Sequence, residues 1–242
     1  MAYAWIFAAA SLVAASIAGV TGFGIGSILT PVLALRVGTK LAVAAVAIPH
    51  FVGTALRFWV LRRHVDRRVL LGFGITSAIG GLAGALLHVW VSSRALAFVF
   101  GTLLILAGLS ELTGWIARVH WGRRAAWVAG ALSGMLGGLV GNQGGIRSAS
   151  MLGFNVPKES FVATATAVGL FVDGARLPVY LATQGHDIAR LGRLLLVGCL
   201  GVIAGTVLGV RLLARLPQAG FRRMVAVLLL LLGAYMVFTG GG

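Results

Sequence analysis

The sequence predicts an all-α polytopic membrane protein built from two inverted repeats. Each repeat is a broken helix/half-helix pair followed by three transmembrane helices, about eight helical segments in total. Three observations lead to this fold class. Hydrophobic residues make up 59% of the chain and charged residues 10%, against about 25% charged residues in an ordinary soluble domain. The stretch Gly19-Val20-Thr21-Gly22-Phe23-Gly24-Ile25-Gly26-Ser27 recurs at an offset of 119 residues as Gly138-Leu139-Val140-Gly141-Asn142-Gln143-Gly144-Gly145-Ile146, and a duplicated glycine-broken segment marks an internal repeat. The basic residues fall into loops that gather on one side of the bilayer.

The elements follow in order. Residues 1–35 carry no charge, yet Gly22, Gly24, Gly26 and Pro31 interrupt them. One straight helix does not fit there, so the spacing predicts a helix to about Gly22, a break, and a half-helix from about Ser27 to Leu35. Apolar runs long enough to cross a bilayer lie at roughly 40–61, 69–91, 95–117, 159–182, 191–211 and 223–240. The second repeat opens with 125–141 and a half-helix at 146–153. Residues 1–117 thus form the first repeat, 118–124 a linker and 125–242 the second. The apolar N-terminus lacks the basic region of a signal peptide and reads as a retained helix.

Topology follows from the lysines and arginines. When each broken pair returns to the side it entered from, twelve of the 20 basic residues share one face: Arg62, Arg63, Arg67, Arg68, Arg118, Arg123, Arg124, Lys158, Arg211, Arg215, Arg222 and Arg223. Five, namely Arg36, Lys40, Arg94, Arg190 and Arg193, lie opposite, and Arg57, Arg147 and Arg176 fall inside apolar segments. The positive-inside rule makes the first face cytoplasmic, with both termini outside and the repeats inverted relative to each other. The expected location is the cytoplasmic (inner) membrane of a bacterium. Beyond the glycines, Leu33 matches Leu152, Val43 matches Val162, and Arg57 matches Arg176 at the same offset. The arginine match carries the most weight, because arginine is expensive inside a membrane.

Where a helix breaks at mid-membrane, the N-terminus of its second half presents unpaired N–H groups and about half a positive charge. That is an anion site. Gly22, Gly24, Gly26, Gly144 and Gly145 let a ligand approach the backbone, while Ser27, Asn142, Gln143 and Ser148 add donors. The competing explanation is that such glycines pack helices closely, as Gly80, Gly81 and Gly84 would. Arg147 either completes the anion cradle or reaches the cytoplasmic interface. Asp173 precedes Arg176 by one turn and pairs with it. Arg57 has no local carboxylate and lies near Arg62 and Arg63, so an interfacial position competes with a place in the site. His50, of a residue type that ordinarily titrates near neutral pH, is a candidate for coupling transport to protons, against the alternative of a satisfied hydrogen-bonding residue; His88 is a weaker candidate, and an interfacial position accounts for Glu111.

Other classes are poorly supported. The basic excess, 20 Lys+Arg against 5 Asp+Glu, lacks the length and interleaved aromatics of a nucleic-acid surface. Cys199 is the single cysteine, which rules out an intrachain disulfide. No metal-ligand spacing, ATP-binding loop or Gly-x-Ser-Gly protease motif is present, so no catalytic site, metal or cofactor is expected.

The blocks Gly19 to Leu33 and Gly138 to Leu152, the hairpin from Arg57-Phe58-Trp59 to Asp66-Arg67-Arg68, and the segment Phe171-Val172-Asp173-Gly174-Ala175-Arg176-Leu177-Pro178 resemble the TauE/SafE sulfite-exporter family over essentially the whole chain. The resemblance implies a permease for small anions of sulfur metabolism such as sulfite or organosulfonates, usually moving them outward. Asn142-Gln143 and Arg147 depart from the family pattern, which has more glycines and apolar residues there, and this bears on substrate. The expected partners are a small anion and the lipid bilayer, with protons as a candidate coupling ion and a homodimer as a candidate assembly. A non-transporting scaffold and a passive anion channel are the alternatives.

Overall fold

The computed structural model describes all residues except 1, 22, 23, 115–122, 142, 143, 145, 146, 148–150, 152–156, 213–217, 241 and 242. Among the described residues the secondary structure is helical throughout, with no strand. The first half contains α1 (Ala2–Thr21), α2 (Ile25–Val37), α3 (Thr39–Leu61), α4 (Arg67–Trp90) and α5 (Ser93–Thr113). The second contains α6 (Arg123–Val140), α7 (Lys158–Arg190), α8 (Gly192–Leu212) and α9 (Gln218–Thr239). Five spans are long and apolar enough to cross a bilayer: 2–19, 39–64, 67–90, 93–110 and 160–190. The outer faces of these spans and of α8 and α9 expose large apolar side chains, among them Trp5, Leu86, Phe98, Leu196 and Leu231. That is the surface a lipid-facing helix presents, and the chain is an integral membrane protein.

The expected break in residues 1–35 is present, and glycine produces it. Gly24 adopts φ 136°, a region open to glycine because it has no Cβ, and its carbonyl accepts the first bond of α2 from the Ile28 N–H at 3.1 Å. At 13 residues, α2 is about 20 Å long, short of the ~30 Å hydrocarbon core. It is buried on nearly every side, with Ile25 to Pro31, Leu33 and Ala34 enclosed. Gly141 ends α6 with φ 77° at the position matching Gly22.

Two boundaries differ from expectation. α5 stops at Thr113 rather than near residue 117, because Gly114 takes the left-handed conformation, φ 67°, and closes the helix through its N–H to the Ser110 carbonyl. α7 runs 33 residues to Arg190 instead of ending near 182. The only glycine in the added stretch, Gly185, costs about 1 kcal/mol in a helix interior, too little to stop a helix that continues through His186 and Asp187. At about 50 Å, α7 projects beyond the hydrocarbon layer. The extension also shifts the repeat register. α4 and α5 start at Arg67 and Ser93, α8 and α9 at Gly192 and Gln218, an offset of 125 (192 − 67 and 218 − 93) in place of 119.

The packing crosses between halves. α1 lies on α8 and α6 on α4; α3 packs on both α7 and α8, α4 packs on α7, and α5 pairs with α9. Exchanging the halves, α1 for α6, α3 for α7, α4 for α8 and α5 for α9, maps this set of neighbours onto itself. Small residues set the closest approaches. A Cβ at Gly101 would stand 2.7 Å from the Gly233 carbonyl oxygen, and one at Gly233 would stand 2.7 Å from that of Gly101. Gly80 and Gly84 face the α6 backbone at Ala131 and Met135, the packing role expected of them.

A side chain at Gly84 would press on the α6 backbone, 2.8 Å from the Leu139 nitrogen, whereas Gly174 has nothing within 4 Å. Gly84→Val is therefore expected to destabilise the detergent-solubilised protein by about 1–3 kcal/mol. Gly174→Ala should leave its melting temperature unchanged or slightly raised, as thermal unfolding would show.

Candidate functional site

The last carbonyls of a helix have no partner within the helix, and in an apolar interior each must find one. An arginine reaches this end of the helix at both breaks, at the second beside the Gly141 N–H that also bonds the Gly137 carbonyl at 2.9 Å. Arg57, on α3, donates from Nη1 to the Ala18 carbonyl, three residues before the end of α1. Arg176, on α7, donates from Nη1 to the Gly137 carbonyl at 2.9 Å, three residues before the end of α6. Ala18 and Gly137 are separated by 119 residues, as are the two arginines. The repeat thus carries one device twice: a cation placed against the negative end of a broken helix. At the end of α6 the Tyr180 hydroxyl also donates to the Gly138 carbonyl, and His88 Nδ1–H donates to that of Leu139 at 2.8 Å.

The breaks meet in the centre of the molecule. Gly26, in the first turn of α2, lies so close to Gly141 that an added Cβ would be 2.7 Å from its carbonyl oxygen. The same point is 3.7 Å from His50 Cδ2. His50 Nδ1–H donates to Asp173 Oδ2 at 2.7 Å, joining α3 to α7 across 123 residues of sequence. Arg176 holds the other oxygen, with Nε 3.0 Å and Nη2 2.8 Å from Asp173 Oδ1. The expected Asp173–Arg176 pair is therefore present, and His50 is part of it.

Arg147 is 4% exposed and Arg57 is 7% exposed, so both are enclosed by protein. A Cβ at Gly169 on α7 would lie 2.9 Å from Arg147 Nη1 and 3.6 Å from Thr54 Cγ2 on α3. Among the described residues, Arg147 Nε and Nη1 and Arg57 Nε have no hydrogen-bond partner. Asp173 is buried, and it is engaged by Arg176 and His50. Two buried guanidinium groups thus keep donors that no described residue accepts, an arrangement an apolar interior makes costly unless an anion supplies the counter-charge.

Of the residues the sequence nominates, Gly26, His50, Asp173 and Arg176 come together at the junction of the breaks, with Arg57 and Arg147 nearby. Gly24, Ser27 and Gly144 are buried, and the expected half-helix at 146–153 falls almost entirely outside the described residues. Gly24 packs on α1, where a Cβ would be 3.2 Å from Ile17 Cγ2, so it shapes the break. Gly22, Asn142, Gln143, Gly145 and Ser148 lie outside the described residues. Thr54, Gly169 and Tyr180 belong to the site and were not singled out from sequence. The repeat register contains the signal for two of them, since Thr54 matches Asp173 and Gly169 matches His50 at offset 119.

A family model described as sulfite exporter TauE/SafE matches residues 7–236. The chain belongs to the TauE/SafE family. No curated protein and no solved structure gives a match. The family is one of membrane transporters of sulfite or related anions, which makes this TauE/SafE chain a membrane transporter of a small substrate. The match agrees with a buried site that carries excess positive charge.

Asp173 holds α3, α7 and, through Arg176, the end of α6. Asp173→Asn leaves Arg176 without its counter-ion and is expected to destabilise the protein by about 3–5 kcal/mol, measured as reduced resistance to thermal or denaturant unfolding in detergent.

Proposed function

We propose that this TauE/SafE chain is a secondary transporter that exports small sulfur oxyanions, sulfite or an organosulfonate, across the bacterial cytoplasmic membrane. The observation that carries the proposal is the pair Arg57 and Arg147, both buried and both keeping guanidinium nitrogens with no hydrogen-bond partner among the described residues. An oxyanion brings the missing charge together with acceptor oxygens for these donors, and charge-assisted bonds of that kind are strong. The substrate site comprises the half-helix glycines, Ser27, Arg57, Arg147 and Arg176, with Asn142, Gln143 and Ser148 beside Arg147 in sequence.

Two inverted repeats, 1–117 and 125–242, support alternating access around that site, with both termini outside. The support is the charge distribution together with the exchange symmetry of helix neighbours. A negative-inside potential contributes about 2.3 kcal/mol per charge per 100 mV toward anion efflux, so export of an uncoupled anion runs downhill. His50, in contact with Asp173 at 2.7 Å, is the group that would carry a coupled proton.

Vesicles containing the purified protein and loaded with labelled sulfite are expected to release it saturably and to exchange it against external sulfite. The double substitution Gln143→Ala with Arg147→Ala should slow release at least about tenfold, since it removes a buried charged donor; unchanged release would sink the site. Flux that neither saturates nor shows exchange would point to a passive channel. If His50 couples protons, an imposed pH gradient should change the release rate in wild type and not in His50→Gln.

A further inference from the structure

The two halves of the site share an arginine on a helix-end carbonyl and differ in the acceptor three residues before it. In the second half, Arg176 uses Nη1 for a helix-end carbonyl and Nε and Nη2 for Asp173, three residues earlier on α7. In the first half, Arg57 uses Nη1 for the matching carbonyl of Ala18. Three residues earlier on α3 stands Thr54, buried at 1% exposure, where a second aspartate would complete the symmetry. Arg57 Nε, the atom that in Arg176 donates to a carboxylate, is buried with no partner.

The second oxygen of Asp173 tells the same story. It accepts from His50 across the α3–α7 interface. The residue matching His50 is Gly169, and the space a side chain would take at Gly169 is filled by Arg147, whose Nη1 lies 2.9 Å from an added Cβ. That Nη1 also lacks a partner. The Thr54 side of the α3–α7 interface therefore has counterparts of both donors that hold Asp173, Arg57 Nε for Arg176 and, from the second half, Arg147 Nη1 for His50, and has threonine in place of the carboxylate.

We propose that the transported oxyanion occupies the place in the first half that corresponds to the Asp173 carboxylate, beside Thr54, with one oxygen on Arg57 Nε and another on Arg147 Nη1. The proposal rests on the transport reading above and makes it specific. Arg176 is a positioning residue already neutralised by Asp173, and the ligand class is a compact head group with two or more oxygens on one centre, such as a sulfite, sulfonate or carboxylate. Thr54 is the specificity-determining residue, because threonine leaves the Arg57 edge to the ligand whereas aspartate would satisfy it internally.

The test is Thr54→Asp in the full-length protein, with sulfite and methanesulfonate as probes and binding followed by calorimetry and thermal shift in detergent. The variant should bind sulfite at least about tenfold more weakly than wild type, because a built-in carboxylate takes the ligand's donors. Its ligand-free melting temperature should equal or exceed that of wild type, which damage to the fold would not produce. Thr54→Asn, similar in shape without the charge, should keep affinity within a few-fold. Equal sulfite affinity in Thr54→Asp and wild type overturns the proposal, as does an equally large loss in Thr54→Asn. Should Thr54→Asp fail to fold, Arg57→Gln decides in its place, since undiminished sulfite binding without the Arg57 Nε edge also overturns it. Wild type that binds no oxyanion at all would instead overturn the transport-site reading itself.

Discussion

A carboxylate placed in an apolar interior is tolerable only when its charge and its lone pairs are all engaged, and Asp173 meets that condition between His50 and Arg176. The centre of the molecule depends on this arrangement. His50 belongs to α3 and Asp173 to α7, so the contact joins the halves at the level where their helices break. Arg176, held in place by Asp173, in turn reaches the Gly137 carbonyl at the end of α6. One anionic side chain thereby fixes two long helices and the open end of a third.

Broken helices are costly in a membrane because each break exposes backbone groups that lipid cannot satisfy. The chain meets that cost with the same side chain twice, Arg57 on Ala18 and Arg176 on Gly137, and adds Tyr180 and His88 at the second break. The arginines are thus structural as well as electrostatic. Their presence at mid-membrane is what lets α2 be a short buried helix, and the same guanidinium groups bring positive charge to the junction of the breaks. In this chain the arginines that support the breaks are also those proposed to receive the anion.

Symmetry of frame and asymmetry of charge coexist here. Helix neighbours are preserved when the halves are exchanged, yet Thr54 faces Asp173 and Gly169 faces His50 in the register of the repeat. A fully symmetric pair of Asp–Arg contacts would neutralise itself and hold nothing. Loss of one carboxylate, and gain of Arg147 where the first half has Ile28, leaves the interior with two guanidinium groups that keep donors no described residue accepts.

Much of this was determined by the sequence alone. Composition requires a membrane protein, because so apolar a chain cannot be covered by water. Gly24 and Gly141 require breaks because the chain there adopts backbone angles that side chains resist. The Asp173–Arg176 pair is legible because its partners sit one helical turn apart. Less legible were contacts set by how helices pack: His50 on Asp173, 123 residues away, Arg147 in the space above Gly169, and Arg57 and Arg147 enclosed by protein where sequence also allowed them to reach the interface. The end of α7 was misjudged because one glycine does not stop a helix. Local spacing fixes what lies within a turn, whereas the pairing of α1 with α8, α6 with α4 and α3 with α7 places distant side chains together, and only the tertiary structure decided which arginine nitrogens have no hydrogen-bond partner among the described residues.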